Sequence, residues 1–427
     1  MNYQTIDEAN QAVISKIVAG SPFLLDVVPA NTVIKEFNEG KVLLHAGPPI
    51  TYDKMVDPIQ GACIGAVLFE GWAENEAEAR TLLESGEVTL MPCHHVNAVG
   101  PMGGITSGNM AVLVVENRTD GNVAYCTMNE GIGAVLRFGA YSDEVITRLH
   151  WMRNVLCPVL SKALKTKESG LNINVMVAKS IAMGDEFHQR NIAASLVFLK
   201  EMAPSIVALE NNQKEKEEVI KFLADTDQFF LNIMMAAAKA VMDGARMIQE
   251  GTVVTAMCRN GYEFGIRIAG MGDEWFTGPV NTPQGLYFSG FTEEDAAPDM
   301  GDSAITETFG VGGMAMIAAP AVTRFVGSGG FQDALNTSNE MKEICIDQNP
   351  NFTVPTWGFQ GICLGIDAAK VVETGITPVI NTGIANKKAG LGQIGAGTVH
   401  PPIDCFEKAV LAYAKKLGFN EENLINT

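Results

Sequence analysis

The chain contains no pair of cysteines at CxxC spacing. Its eight cysteines, Cys63, Cys93, Cys126, Cys157, Cys258, Cys345, Cys363 and Cys405, stand singly, which argues against a zinc ribbon or a disulfide frame and fits reduced thiols. Basic residues are scarce as well: 30 Lys and Arg face 49 Asp and Glu, a formal charge of −19. Such a field repels the phosphate backbone of nucleic acids and anionic lipid surfaces, so neither is an expected partner. A small anionic substrate stays open, because a few arginines can build a local positive site inside an acidic protein. Membrane-spanning runs are missing too. The uncharged stretch 308–323 is short and glycine-rich, and 348–366 is broken by Pro350 and Pro355. The first twenty residues carry early acids and lack the basic start and apolar core of a signal peptide, so a cytoplasmic location is expected.

What is present reads as a globular protein, 47% hydrophobic and 19% charged. At 427 residues it exceeds what one core usually organises, and two or three domains are expected. Residues 24–140 alternate short apolar runs ("KVLLHAG", "GACIGAVLF", "AVLVVEN", "VAYCTM") with glycine and proline, plus one helical stretch, "NEAEARTLLESGE". "TDGN" at 119–122 suggests a hairpin turn. From Tyr141 to about Met247 the punctuation fades and apolar residues recur at helical spacing, with Ser142 placed as an N-cap. There "NNQKEKEEVIKFL" reads as a solvated, charged connection and "FFLNIMMAAAKAVMDGARM" as a buried core helix. After Gly251 strands resume, with a hairpin turning at Asn260-Gly261, and a closing helix is predicted from about Ile403 to Leu417. The expected fold class is therefore mixed α/β (α+β): an N-terminal α/β domain over 1–140, a helical domain over 141–250 and a glycine-rich α/β domain over 251–427.

Candidate chemistry concentrates in four segments. In "MPCHHVNAVGPMGG" (91–104), neighbouring side chains of an extended strand point to opposite faces, so Cys93, His94 and His95 cannot easily share one metal ion. Cys93 with His95 could, given further ligands such as Asp185 and His188, yet no HExxH or paired CxxC supports a metal, and none is expected. A Cys93 thiolate with a histidine base is a second reading, weakened because buried thiols are usually inert. A third is an anion or oxyanion concavity. Its N–H groups come from the 100–107 loop, Gly103 and Gly104 included, with His94, His95 and Asn97 adding polar contacts. The bland alternative is a turn whose histidines only hold its shape. "MNEGIGAVLRFG" (128–139) sets Glu130 before a glycine pair, with Arg137 seven residues on, at what would be a helix N-terminus; it matches neither phosphate-loop pattern. "GDEFHQRN" (184–191) offers His188 for proton transfer and Arg190 and Asn191 for a carboxylate or phosphate, unless Glu186 and Arg190 are merely a surface pair. "CRNGYEFGIR" (258–267) supplies Arg259 and Arg267 as anion clamps or as the charged flanks of a hairpin. In "TFGVGGMAM" close backbone packing is the default reading.

At "MPCHHVNAVGPMGGITS", "NEGIGAVLRFGAY" and "GDEFHQRNIAAS" the sequence resembles the YlbE/AllG-like family of bacteria, and the likeness runs almost the whole chain, to "GAGTVHPPIDCFEKAV". The resemblance implies a subunit of an oxamate carbamoyltransferase of anaerobic allantoin and purine catabolism, in which oxalurate and phosphate exchange with oxamate and carbamoyl phosphate. It further implies an FdrA-like partner, related to succinyl-CoA synthetase, and a third small subunit. No cofactor is called for, and self-association into a homo-oligomer is open. Under this expectation His94, His95 and His188 would be catalytic, and Asn97, Gly103, Gly104, Glu130, Arg190, Asn191, Arg259 and Arg267 would bind substrate. The rival readings are a non-catalytic assembly or substrate-binding subunit and a metal-dependent hydrolase built on Cys93, His95 and His188. The discriminating observation is whether His94 or His95, His188 and an arginine meet in one cleft.

Overall fold

In a computed structural model describing residues 3–210 and 212–419, a mixed α/β architecture forms around the helix Phe229–Arg246. That segment is rich in Ala and Met, strong helix formers, and nearly every one of its side chains is buried. It lies against the strands Ala111–Asn117 and Asn122–Thr127 on one side and the helices Ile6–Ala19 and Ile305–Phe309 on others. Each large apolar side chain so buried contributes roughly 1.5–3 kcal/mol. One apolar core, running from Val13 to Tyr413, takes residues from all three ranges marked out in the sequence.

The N-terminal sheet has five strands in the order Ala98–Val99, Asn122–Thr127, Ala111–Asn117, Pro22–Pro29 and Leu171–Asn172. All neighbours are antiparallel except the first pair. The hairpin read from "TDGN" is present: Asn117 pairs with Asn122, and Gly121 takes the left-handed φ of +75° that the turn requires. A separate parallel pair, Val42–His45 with Thr89–Pro92, is joined by helices and ends at the Cys93–Val96 turn. In the C-terminal third, the strands Phe276–Pro279, Glu263–Ile268, Val254–Asn260 and Met300–Gly301 form one sheet and Gln284–Tyr287, Gln393–Val399 and Ile380–Ala385 another. Strands Cys345–Val354 and Gln360–Ile366 pair as a hairpin. The closing helix is Asp404–Lys416.

Several local expectations differ from the structure, each for a physical reason. "GACIGAVLF" lies inside the helix Asp57–Phe69, buried nearly all round, so its apolar run carries no periodicity to separate helix from strand. "NNQKEKEEVIKFL" contains the helix Gln213–Asp225, capped by Asn212 and seated by Val219 and Leu223, rather than a connection. No α-helix begins at Glu130; the backbone makes only a tight turn over Leu136–Phe138. The polar segment 185–191 is irregular and precedes the helix Ile192–Ala208. Ser142 does cap its helix, accepting the Val145 N–H. Among the described residues no helix is long and apolar enough to cross a membrane.

Candidate active site

The segment 184–191 is shaped by its acids. Asp185 accepts the Ala193 and Ala194 N–H groups at 3.2 and 2.7 Å and so caps the helix Ile192–Ala208. Burial raises its carboxyl to about 6, against the pull of those two bonds. Glu186 is wholly buried and forms no surface pair with Arg190. Its Oε1 accepts the backbone N–H groups of His188, Gln189 and Arg190 at 3.0, 2.5 and 2.6 Å, winding the chain around one carboxylate. Phe187 bears a left-handed φ of +73°, and this turn swings the His188 ring inward.

His188 Nδ1 lies 2.7 and 2.8 Å from the two carboxylate oxygens of Glu307. Both side chains are buried. Glu307 sits on the short helix Ile305–Phe309, and its Oε1 also accepts the Gly313 and Asn381 N–H groups. Gly312 carries a φ of +65°, and a Cβ there would stand 2.1 Å from Glu307 Oε1, so the glycine run lets the backbone close on this carboxylate. Asn381 ties the two acids together, its Nδ2 donating to Glu186 Oε2 at 2.9 Å. With Nδ1 held by a carboxylate, Nε2 is the ring nitrogen left to exchange protons, and an imidazolium formed there is stabilised by Glu307.

His188 lines a narrow inner pocket of about 20 Å³ together with Arg137, Gln189, Gln228, Ser303 and Gln393. Arg137 is anchored by its Nε–H to the Gly131 carbonyl at 2.9 Å. Burial lowers its guanidinium to about 10, so it stays cationic at neutral pH. The three glutamines, Gln189, Gln228 and Gln393, also line an outer cavity of about 460 Å³ whose wall includes Arg190, Asp227, Phe288 and Phe325. The inner pocket admits little more than a water-sized group.

The structure distributes the sequence-derived candidates unevenly. Arg190 lines the outer cavity, its Nε 3.4 Å from Asp185. Asn191 is buried behind the site, donating to the His188 carbonyl and to Gln228 Oε1. Gly103 and Gly104 do not present free N–H donors: Gly103 donates to the Arg137 carbonyl and Gly104 to the Pro101 carbonyl. Their place is to hold the backbone that carries Arg137. Asn97 is an exposed left-handed turn residue. Arg259 is fully buried and bound to Asp299, Gly301, Ser303 and Thr382. His94, His95 and Arg267 gather elsewhere, around Trp275. His95 accepts the indole N–H at 3.2 Å, the His94 ring meets the indole edge-on at 5.4 Å, and the Arg267 guanidinium stacks 4.1 Å from the indole ring centre. So His188 meets an arginine in one cleft, but His94 and His95 do not join it, and the three-way meeting expected of a catalytic site that includes the "CHH" turn, or of a hydrolase metal on Cys93, His95 and His188, is not found. Cys93 is buried and its thiol is pushed up chiefly by burial, which leaves it without nucleophilic character at neutral pH.

Glu130 closes the base of the 130–137 loop through the Leu136 N–H at 3.0 Å, and burial raises its carboxyl to about 7. Because the folded carboxyl holds its proton to higher pH than the unfolded one, near 4.5, the folded state binds more protons between those values. Its contribution to stability is present below about 4.5 and is lost as pH rises through about 7. Glu130→Gln is therefore expected to flatten the decline of unfolding free energy across that window, by at most about 3 kcal/mol. Denaturant midpoints measured from pH 4.5 to 8 on both proteins check it; parallel pH profiles would refute it.

Residues Glu307, Gln228, Ser303, Asn381 and Gln393 were not singled out by sequence reasoning, and Arg137 was noted without a role. Glu307 carried one signal, a single acid placed directly before the uncharged glycine-rich stretch 308–323. An ionisable group at the edge of a run destined for the interior needs a buried partner.

Residues 88–303 match the family model described as oxamate carbamoyltransferase subunit AllG. The chain is 60% identical over 416 residues to the oxamate carbamoyltransferase subunit AllG of Escherichia coli (strain K12), covering 97% of this chain and 99% of that protein. It is 44% identical over 413 residues to the protein YahG of the same organism, described as uncharacterized, covering 97% and 87%. A crystal structure of a conserved protein of unknown function from Enterococcus faecalis V583 superposes with a TM-score of 0.95 at 45% identity, covering 97% of this chain and 99% of that one. With likeness on this scale over nearly its whole length, the chain belongs to the AllG family of oxamate carbamoyltransferase subunits.

Proposed function

We propose that this chain is a subunit of an oxamate carbamoyltransferase and that the carbamoyl group is transferred where the inner pocket opens, past Gln189, Gln228 and Gln393, into the outer cavity. The observation that carries this reading is the meeting of His188, backed by Glu307, with Arg137 in one narrow pocket. In the reaction a phosphate oxygen attacks the carbamoyl carbon of oxalurate, the C–N bond to the oxamate nitrogen breaks, and carbamoyl phosphate and oxamate form. The proton leaving the phosphate hydroxyl must reach the departing nitrogen. His188 Nε2 takes it and returns it, with Glu307 stabilising the imidazolium in between. Arg137 offers a forked cation to a carboxylate or phosphate, and Arg190 gathers the anion at the mouth. The ion pairs and hydrogen bonds of the pocket lie in a water-poor setting, where aimed charges act most strongly on a developing oxyanion.

In this reading the FdrA-like partner and the third small subunit complete the assembly. Carbamoyl phosphate formation from oxalurate and phosphate, followed with the chain alone and with its partners, is expected only in the complex. The rival, a non-catalytic assembly or substrate-binding subunit, gains if the reconstituted complex keeps full activity when the inner pocket is disabled.

A further inference from the structure

The "CHH" turn and the strand Val254–Asn260 converge on a second buried group that the transfer site does not use. A ring nitrogen of His94, the Cys258 thiol and an Asp302 carboxylate oxygen all lie within 4.8 Å of one another, and all three residues are buried. His94 Nε2 is 3.6 Å from Asp302 Oδ1, too far for a hydrogen bond, with both side chains at 0% exposure. Neither ring nitrogen of His94 has a hydrogen-bond partner, a costly arrangement for a buried imidazole unless something else occupies it. Asp302 accepts the Gly47 and Gly100 N–H groups at 2.8 and 2.9 Å, which fixes its orientation and leaves lone pairs on both oxygens.

Four cations act on this group from a distance, and each has an acid of its own: Asp243 for Lys239 and Arg246, Asp299 for Arg259 and Asp273 for Arg267. Among the described residues no lysine or arginine nitrogen reaches ion-pairing distance of Asp302. Arg259 and Lys239 act on the Asp302 carboxylate from a distance, but no cation touches it, and the thiol and unbonded imidazole beside it leave room for one. The thiols of Cys93 and Cys126 also feel the Asp302 charge, so the surroundings are rich in soft sulfur.

We infer that His94, Cys258 and Asp302 supply three ligands of a buried site for a divalent transition metal of the zinc type, with the fourth position taken by a small ligand such as water. One imidazole nitrogen, one thiolate and one carboxylate oxygen are a donor set that zinc accepts, while calcium and magnesium, which require oxygen ligands, do not. Binding releases the Cys258 proton and neutralises the buried carboxylate. The ion would lock together three parts of the chain: the turn after Thr89–Pro92, the strand Val254–Asn260, and the segment that leads from Asp302 through Ser303 to Glu307. Its place is behind the pocket wall, as a structural support outside the reacting atoms. The proposed site departs from the expectation of no metal, and it would enlist His94 of the "CHH" turn rather than Cys93 with His95.

The test is metal analysis of the full chain purified without chelator or metal-affinity resin from zinc-supplemented cells. About one zinc per chain is expected, together with a thiolate-to-cobalt charge-transfer band after cobalt exchange. Cys258→Ser and His94→Gln should each lose most of the metal and weaken the band, whereas Cys157→Ser, a buried thiol on another element, should keep both. Circular dichroism and gel filtration on each variant separate loss of metal from loss of fold. A folded wild-type chain that carries no stoichiometric transition metal and gives no thiolate–cobalt band overturns the inference. So does retention of full metal by folded Cys258→Ser and His94→Gln.

Discussion

Replacing His188 by glutamine should lower carbamoyl transfer in the assembled complex by about 10²–10⁴-fold, the usual cost of removing a positioned general acid–base. Glutamine keeps polarity and approximate size, so the 185–191 turn, held by its backbone bonds to Glu186, should survive. Glu307→Gln should cost less in rate. It keeps a hydrogen-bond acceptor for Nδ1 but removes the charge that stabilises the imidazolium, so the loss should fall mainly on kcat. Steady-state kinetics of the two variants and the double variant check the pairing. If His188 and Glu307 act as one unit, the double variant is scarcely worse than His188→Gln alone. Unchanged activity of an intact His188→Gln complex would place the chemistry outside this pocket.

The second large effect concerns stability. Arg259 is 0% exposed, and its guanidinium donates to Asp299 at 2.6 and 3.1 Å, to the Gly301 carbonyl at 3.0 Å, and to the hydroxyls of Ser303 and Thr382. Ser303 lines the inner pocket and Thr382 precedes Gly383 on the same wall, so this arginine braces the site from behind. Arg259→Met leaves Asp299 buried and unpaired, and should destabilise the chain by about 3–5 kcal/mol. Lysine cannot reproduce the forked geometry and should rescue little. Adding Asp299→Leu to Arg259→Met removes the stranded charge and should restore part of the loss. Equilibrium denaturation of the three variants reads all of this. An Arg259→Met protein within about 1 kcal/mol of wild type would show that the pair contributes little.

Expectations drawn from short spacing fared well where one local pattern suffices to specify structure. The Ser142 cap, the "TDGN" hairpin and the Ile403 helix each depend on a handful of neighbouring residues, and each is present within a residue or two. The Asn260-Gly261 turn is shifted by one place. Asn260 closes the preceding strand and accepts the Tyr262 and Glu263 N–H groups, while Gly261 takes a φ of +79°. Where burial is uniform, as in "GACIGAVLF", periodicity vanishes and the reading failed.

The polar density of "GDEFHQRN" marked His188 and Arg190 before any coordinates, because so many ionisable groups ahead of an apolar helix require partners. Which partners could not be told. Glu307 stands 119 residues away from His188 and Arg137 lies on a separate loop, and nothing in the spacing of either segment encodes their approach. The "CHH" turn shows the same division. The extended backbone assumed for it is replaced by a tight helical turn over Cys93–Val96, and only the packing of the strand Val254–Asn260 and the Asp302 segment against it set His94 apart from His95. Composition, charge and short-range pattern thus determined the mixed α/β class, the lack of a spanning helix among the described residues and the segments rich in chemistry. The tertiary structure alone decided which of them meet, since contacts between distant residues are set by the burial of a common core and leave no periodic trace in the chain.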